Sequence, residues 1–136
     1  MKSHQDLSDE AFEQAFASCE LSPELFNHEA HLRLAWLQIR KYGLEQALIN
    51  IQEQLLTYVT QLGAQDKYHQ TLTIAAVHAV HHFMQLSEGD SFPSFIVANP
   101  QLATSFKELV NSHYSFDVFS HKEARKRYLE PDLQPF

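Results

Sequence analysis

The stretch from Phe26 to Gly43 constrains this chain more than any other. Asn27 is a side-chain acceptor placed to cap a helix, and Gly43 supplies a left-handed stop. Between them apolar residues recur at about 100° per residue, the period of a helix. His28, His31, Leu32, Ala35, Trp36, Ile39 and Tyr42 share one broad sector, expected to be buried. Glu29, Arg33 and Arg40 gather on the opposite, polar side. Two imidazoles aimed into an apolar core need a chemical reason.

The rest of the chain extends the same reading. With 3 Gly and 5 Pro in 136 residues there are few breakers, which favours long helices over many short strands. Ser8 caps a first helix to about Ser18, with Phe12 and Phe16 one turn apart as its apolar stripe. Glu20–Leu25 reads as a short helical turn with Pro23 at its first position. A third helix, Leu44 to Leu62, carries Leu44, Leu48, Ile51, Leu55, Val59 and Leu62. With only Gly43 before it, this helix runs antiparallel to its predecessor. Asp66 is the expected cap of a fourth helix, Lys67 to Leu86. Its inward sector holds His69, Leu72, Thr73, Ala76, Val77, Val80, Phe83 and Met84, and Ile74, His78, His81 and His82 lie on its wet side. Phe92–Val97 gives a further helical turn, and Gln101 to Asn111 another helix. A capping box at Ser120–Glu123 opens a last short helix to about Leu129. Glu130–Phe136 then lies extended, anchored by Leu133 and Phe136. The expected fold is all-α: one compact, single-domain helical bundle over residues 1–136, with four main helices, short C-terminal helices and an extended tail.

Composition narrows the partners. A net charge of −7 disfavours nucleic acid and anionic membrane surfaces. The single cysteine, Cys19, excludes an intrachain disulfide and reads as a small buried hydrophobe at the end of the first helix. Met1–Asp6 lacks a signal-peptide pattern and no stretch approaches transmembrane length, so a cytoplasmic protein is expected.

Nine histidines are the compositional oddity. His28 and His31, three residues apart, bring two ring nitrogens within reach of one ion. His69 from a facing helix would complete a three-histidine site with an open position, suited to zinc and also to iron, copper or nickel. Nearby helix N-termini and burial both favour the neutral imidazole that binds metal. Tyr68 and Thr73 stand beside His69 as supporting groups. His78 and His82, one turn apart, form a second pair on a solvated face. His4, His113 and His121 have no partner that spacing identifies.

Phe26-x-His28-x-x-His31-Leu32-x-x-Ala35-Trp36, Lys67-Tyr68-His69-x-Thr71-x-Thr73, Ser120-x-x-x-Ala124-Arg125 and Glu130-Pro131-Asp132-Leu133 together resemble a family of small, all-helical bacterial proteins of unassigned function. The resemblance implies the helical architecture and no activity. Two functions follow from the residues. One is a metal-dependent hydrolase or oxygenase acting on a small molecule through His28, His31 and His69. The other is a non-enzymatic small-ligand-binding or homodimeric interaction protein whose core histidines are structurally satisfied.

Overall fold

A computed structural model of the chain describes residues 3–87 and 89–136. Met1 and Lys2, which open the stretch read for a signal peptide, lie outside them. The fold is all-α, with helices joined by 3₁₀ turns and no strand among the described residues. None of these helices is long and apolar enough to cross a membrane. The chain divides into two compact units, Met1–Tyr68 and His69–Phe136.

The first unit is built on three helices: α1 (Asp9–Ala17), α2 (His28–Tyr42) and α3 (Leu44–Gln61). Ser8 caps α1 through the Ala11 N–H at 3.1 Å, and Asn27 caps α2 through the Ala30 N–H at 2.9 Å. Gly43 has φ +86° and its N–H closes α2 on the Ile39 carbonyl at 2.8 Å. No atom lies within 4 Å of where its Cβ would be, so backbone conformation alone asks for glycine there. Helix α3 starts at the next residue and packs along α2.

Phe12 and Phe16 are fully buried. The Phe16 ring meets Tyr58 of α3 at 4.9 Å and Phe26 at 4.8 Å, and the Tyr58 hydroxyl donates to the Leu21 carbonyl at 2.8 Å. The inward line of α3 is therefore Ala47, Ile51, Leu55 and Tyr58, and Leu62 is exposed instead. Pro23–Leu25 forms a separate 3₁₀ turn, divided from α2 by Phe26 and Asn27.

Arg33 corrects the expected polar face of α2, because it is 6% exposed. Its guanidinium is buried with its donors occupied. Nη1 donates to the His4 carbonyl at 2.6 Å and to His4 Nδ1 at 3.2 Å. Nη2 donates to the Leu7 carbonyl and to Asp9 Oδ1, both at 2.8 Å. The group also lies 4.6 Å over the Phe12 ring.

The second unit holds α4 (Gln70–Leu86), α5 (Phe92–Ala98), α6 (Gln101–Thr104), α7 (Phe106–Asn111) and α8 (Lys122–Lys126). Helix α4 begins three residues later than expected. Gln65–Lys67 closes into a 3₁₀ turn, Tyr68 is extended, and His69, not Asp66, is the N-cap. The buried residues of α4 are Thr71, Ile74, Ala75, Val77, Ala79 and Val80, so the expected wet side is partly interior. Gln101–Asn111 is two helices because Ser105 leaves helical geometry at φ −135°, ψ 33°. Ser120 does not cap α8. Its hydroxyl donates to Asp117 within a 3₁₀ turn, and His121 Nδ1 accepts the Ala124 N–H at 3.2 Å. The tail is anchored by Asp132 and Phe136, whereas the Leu133 side chain is 61% exposed.

Cys19 ends α1 at φ +63°, with the N–H groups of Glu20 and Leu21 both on the Ala15 carbonyl. It is half-buried at the position where a left-handed residue stops a helix, a conformation that costs a side-chain-bearing residue about 1–2 kcal/mol. Cys19→Gly is expected to raise the unfolding free energy by on the order of 1 kcal/mol in urea titrations.

Candidate functional site

The three proposed ligands occupy different settings. His28 and His31 stand one turn apart at the start of α2 in the first unit. His28 is exposed, which corrects its expected place in the core: as the first residue of α2 it precedes the buried run. His31 is half-buried, with its ring 4.0 Å from that of Phe26. Burial, and then the neighbouring His28, push its pKa down to about 4, so it is neutral at physiological pH.

His69 opens α4 in the second unit, and both of its ring nitrogens are engaged there. Nδ1 accepts the Leu72 N–H at 3.1 Å, which completes the helix cap. A cap acceptor must carry a lone pair, so the proton sits on Nε2 and is donated to the Val118 carbonyl at 3.0 Å. Desolvation holds the pKa of His69 below its ordinary value, and the Arg125 charge acts in the same direction. The bond to Val118 opposes them. A metal at Nδ1 would displace the cap, and one at Nε2 would displace the bonded proton.

Of the two supporting groups, Thr73 has its hydroxyl occupied locally. The Thr73 hydroxyl donates to the His69 carbonyl at 2.7 Å, one turn back along its own helix. Tyr68 ends the preceding 3₁₀ turn, with its N–H on the Gln65 carbonyl at 3.2 Å. Of the other histidines on α4, His78 and His81 are half-buried and only His82 is exposed. Burial, and then His81, lower the pKa of His78. Among the described residues, no group of three or more His, Cys, Asp and Glu side chains is arranged to hold a metal ion.

Spacing did not find the first unit's polar network. His4 is 1% exposed, and its Nε2 donates to Glu29 Oε1 at 3.1 Å while Nδ1 faces Arg33. Gln5 donates to the same Glu29 oxygen at 2.6 Å. Desolvation leads in lowering the His4 pKa; Glu29 opposes it and Arg33 adds to it. One sequence signal was present. Leu32–Leu37 is apolar all round apart from Arg33, and a helix with no wet side buries whatever charge it carries. Such a network fastens the turn at His4–Asp6 to α2, with His4 and Arg33 buried and Gln5 and Asp9 at the surface.

Comparison of the chain with protein families, with curated proteins and with solved structures found no match.

Two outcomes are expected. His69→Ala loses the cap and strands the Val118 carbonyl, lowering stability by about 1–3 kcal/mol in denaturant unfolding. His69→Asn retains an acceptor and recovers part of that loss. The pH dependence follows from His31, whose folded pKa lies below its ordinary 6.5. Unfolded chains take up that proton first, so its contribution is complete above pH 6.5 and is lost as pH falls toward about 4. His31→Gln should flatten this decline when unfolding free energy is measured across the window.

Proposed function

We propose that the chain is a non-enzymatic interaction protein whose buried histidines are structural groups rather than metal ligands. The observation that carries this reading is the double engagement of His69, with Nδ1 on the Leu72 N–H and Nε2 on the Val118 carbonyl. His121 supports it as a second imidazole that caps a helix, and His4 as one closed into an ion-pair network. Three of the nine histidines thus have structural roles that need no reaction.

The metal-dependent hydrolase or oxygenase reading retains one support. His28 and His31 are neighbours on α2, and His31 is held neutral. It also requires His69 to give up a cap or a proton. The likeness of the Phe26–Trp36, Lys67–Thr73 and Glu130–Leu133 segments to small bacterial helical proteins belongs to this proposal and brings no activity with it.

The deciding experiment is metal loading of the full chain and of a variant carrying His78→Gln and His82→Gln. Those substitutions remove the helical pair that can chelate adventitiously. After incubation with zinc, copper or iron and desalting, elemental analysis of the variant is expected to find no stoichiometric metal. One retained equivalent, lost on further substitution of His69, overturns the proposal.

A further inference from the structure

Arg33 fixes the protonation state of His4. A guanidinium offers only donors, so in the 3.2 Å contact with Arg33 Nη1 the His4 Nδ1 must present its lone pair. The single ring proton then sits on Nε2 and is donated to Glu29 Oε1 at 3.1 Å. Both nitrogens are occupied, and the residue is buried with the Phe12 ring 5.8 Å away. A second proton has only Nδ1 to go to, where it would set one N–H against another and two cations side by side. Proton uptake by His4 therefore requires the Arg33 contact to break.

That contact is part of what holds the N-terminal turn. A 3₁₀ turn of three residues, His4–Asp6, is too short to be stable by itself. It is tied to α2 through Arg33 Nη1 on the His4 carbonyl at 2.6 Å and Nη2 on the Leu7 carbonyl at 2.8 Å. Glu29 adds the bonds from His4 and Gln5. The charged groups of this cluster, among the described residues, come from three elements. Glu29 and Arg33 lie on α2 and meet the ring directly. Asp9 at the start of α1 is paired with Arg33 at 2.8 Å, and Asp6 of the turn itself accepts the Ser3 N–H at 3.2 Å. Burial is the largest influence on the His4 pKa and lowers it; Glu29 raises it and Arg33 lowers it further. Glu29 is 32% exposed, so water screens the one group that favours the imidazolium.

We propose that His4 is an acid-sensitive latch on the N-terminal turn, whose protonation breaks the bond to Arg33 and frees residues 3–7 from α2. The folded pKa of His4 lies below its ordinary 6.5, so the fastening is complete above pH 6.5 and is lost as pH falls through the folded value. Helices α1, α2 and α3 stay together, held by the contacts of Phe16, Phe26 and Tyr58, in which His4 takes no part. Release opens the Arg33 guanidinium to solvent. The inference is independent of any partner or metal.

The test is an NMR titration of the full chain in which ring nitrogens report on His4 and backbone amides report on the turn. Above neutral pH, His4 should show the Nε2–H tautomer. On acidification it should protonate below 6.5, and the amide resonances of residues 3–7 should move to those of an unstructured segment with the same midpoint. The ratio of released to docked turn should rise about tenfold for each pH unit by which that midpoint lies under the ordinary value. Amides of Ile51, Leu55 and Tyr58 in α3 should stay in place. Glu29→Gln keeps an acceptor for Nε2–H but removes the charge that favours imidazolium, so it should move the midpoint to lower pH. His4→Gln should abolish the acid step in residues 3–7, whereas His31→Gln should leave it intact. An Nδ1–H tautomer, a ring that protonates while residues 3–7 stay docked, or an acid step that persists in His4→Gln overturns the latch. If His4→Gln leaves the turn released at every pH, Glu29→Gln decides, and an unmoved midpoint overturns the proposal.

Discussion

Every helix start leaves backbone N–H groups without an intrahelical partner, and a chain built from many short helices has many such starts. Much of this structure is organised by how they are closed. Ser8, Asn27 and Ser91 do so with oxygen acceptors, as their residue types lead one to expect. His69 and His121 do it with Nδ1 of an imidazole. An imidazole can fill that role only while Nδ1 carries a lone pair, so the cap and the neutral charge state are one requirement. The same property that makes a buried histidine resemble a metal ligand makes it useful at a helix start.

The parts of the fold that were legible in the sequence are those governed by local rules. Asn27 and Gly43 delimit α2, Ser8 opens α1, and Phe12 and Phe16 are interior. Pro23 marks a 3₁₀ turn. The misreadings share a physical origin. Asp66 is a better cap by residue type than His69, yet the Val118 carbonyl offers His69 a second bond that no local rule contains. Ser105 divides α6 from α7 without glycine or proline to announce it. On α4, Ile74 is interior although a single-stripe reading makes it wet, because that helix is covered on more than one side.

The candidate site was less legible than the fold. Histidine spacing on one helix says which rings neighbour each other, but not what else their nitrogens meet. His69 finds its partner 49 residues away, and Arg33 reaches back 24 to 29 residues to Asp9, Leu7 and His4. Pairings of that separation are set by tertiary packing. A lone charge inside the apolar run Leu32–Leu37 was the one clue, and it points to burial rather than to catalysis.

The joint at Gly43 bears on how the first unit assembles. With a single residue between α2 and α3, bringing the two helices side by side closes almost no loop, so little chain freedom is lost in the turn itself. Contacts between helices adjacent in sequence are of the kind that favour rapid formation. An antiparallel pair formed early would present the surface on which α1 and the turn at His4–Asp6 then settle, with Arg33 drawing that distant segment in at the end.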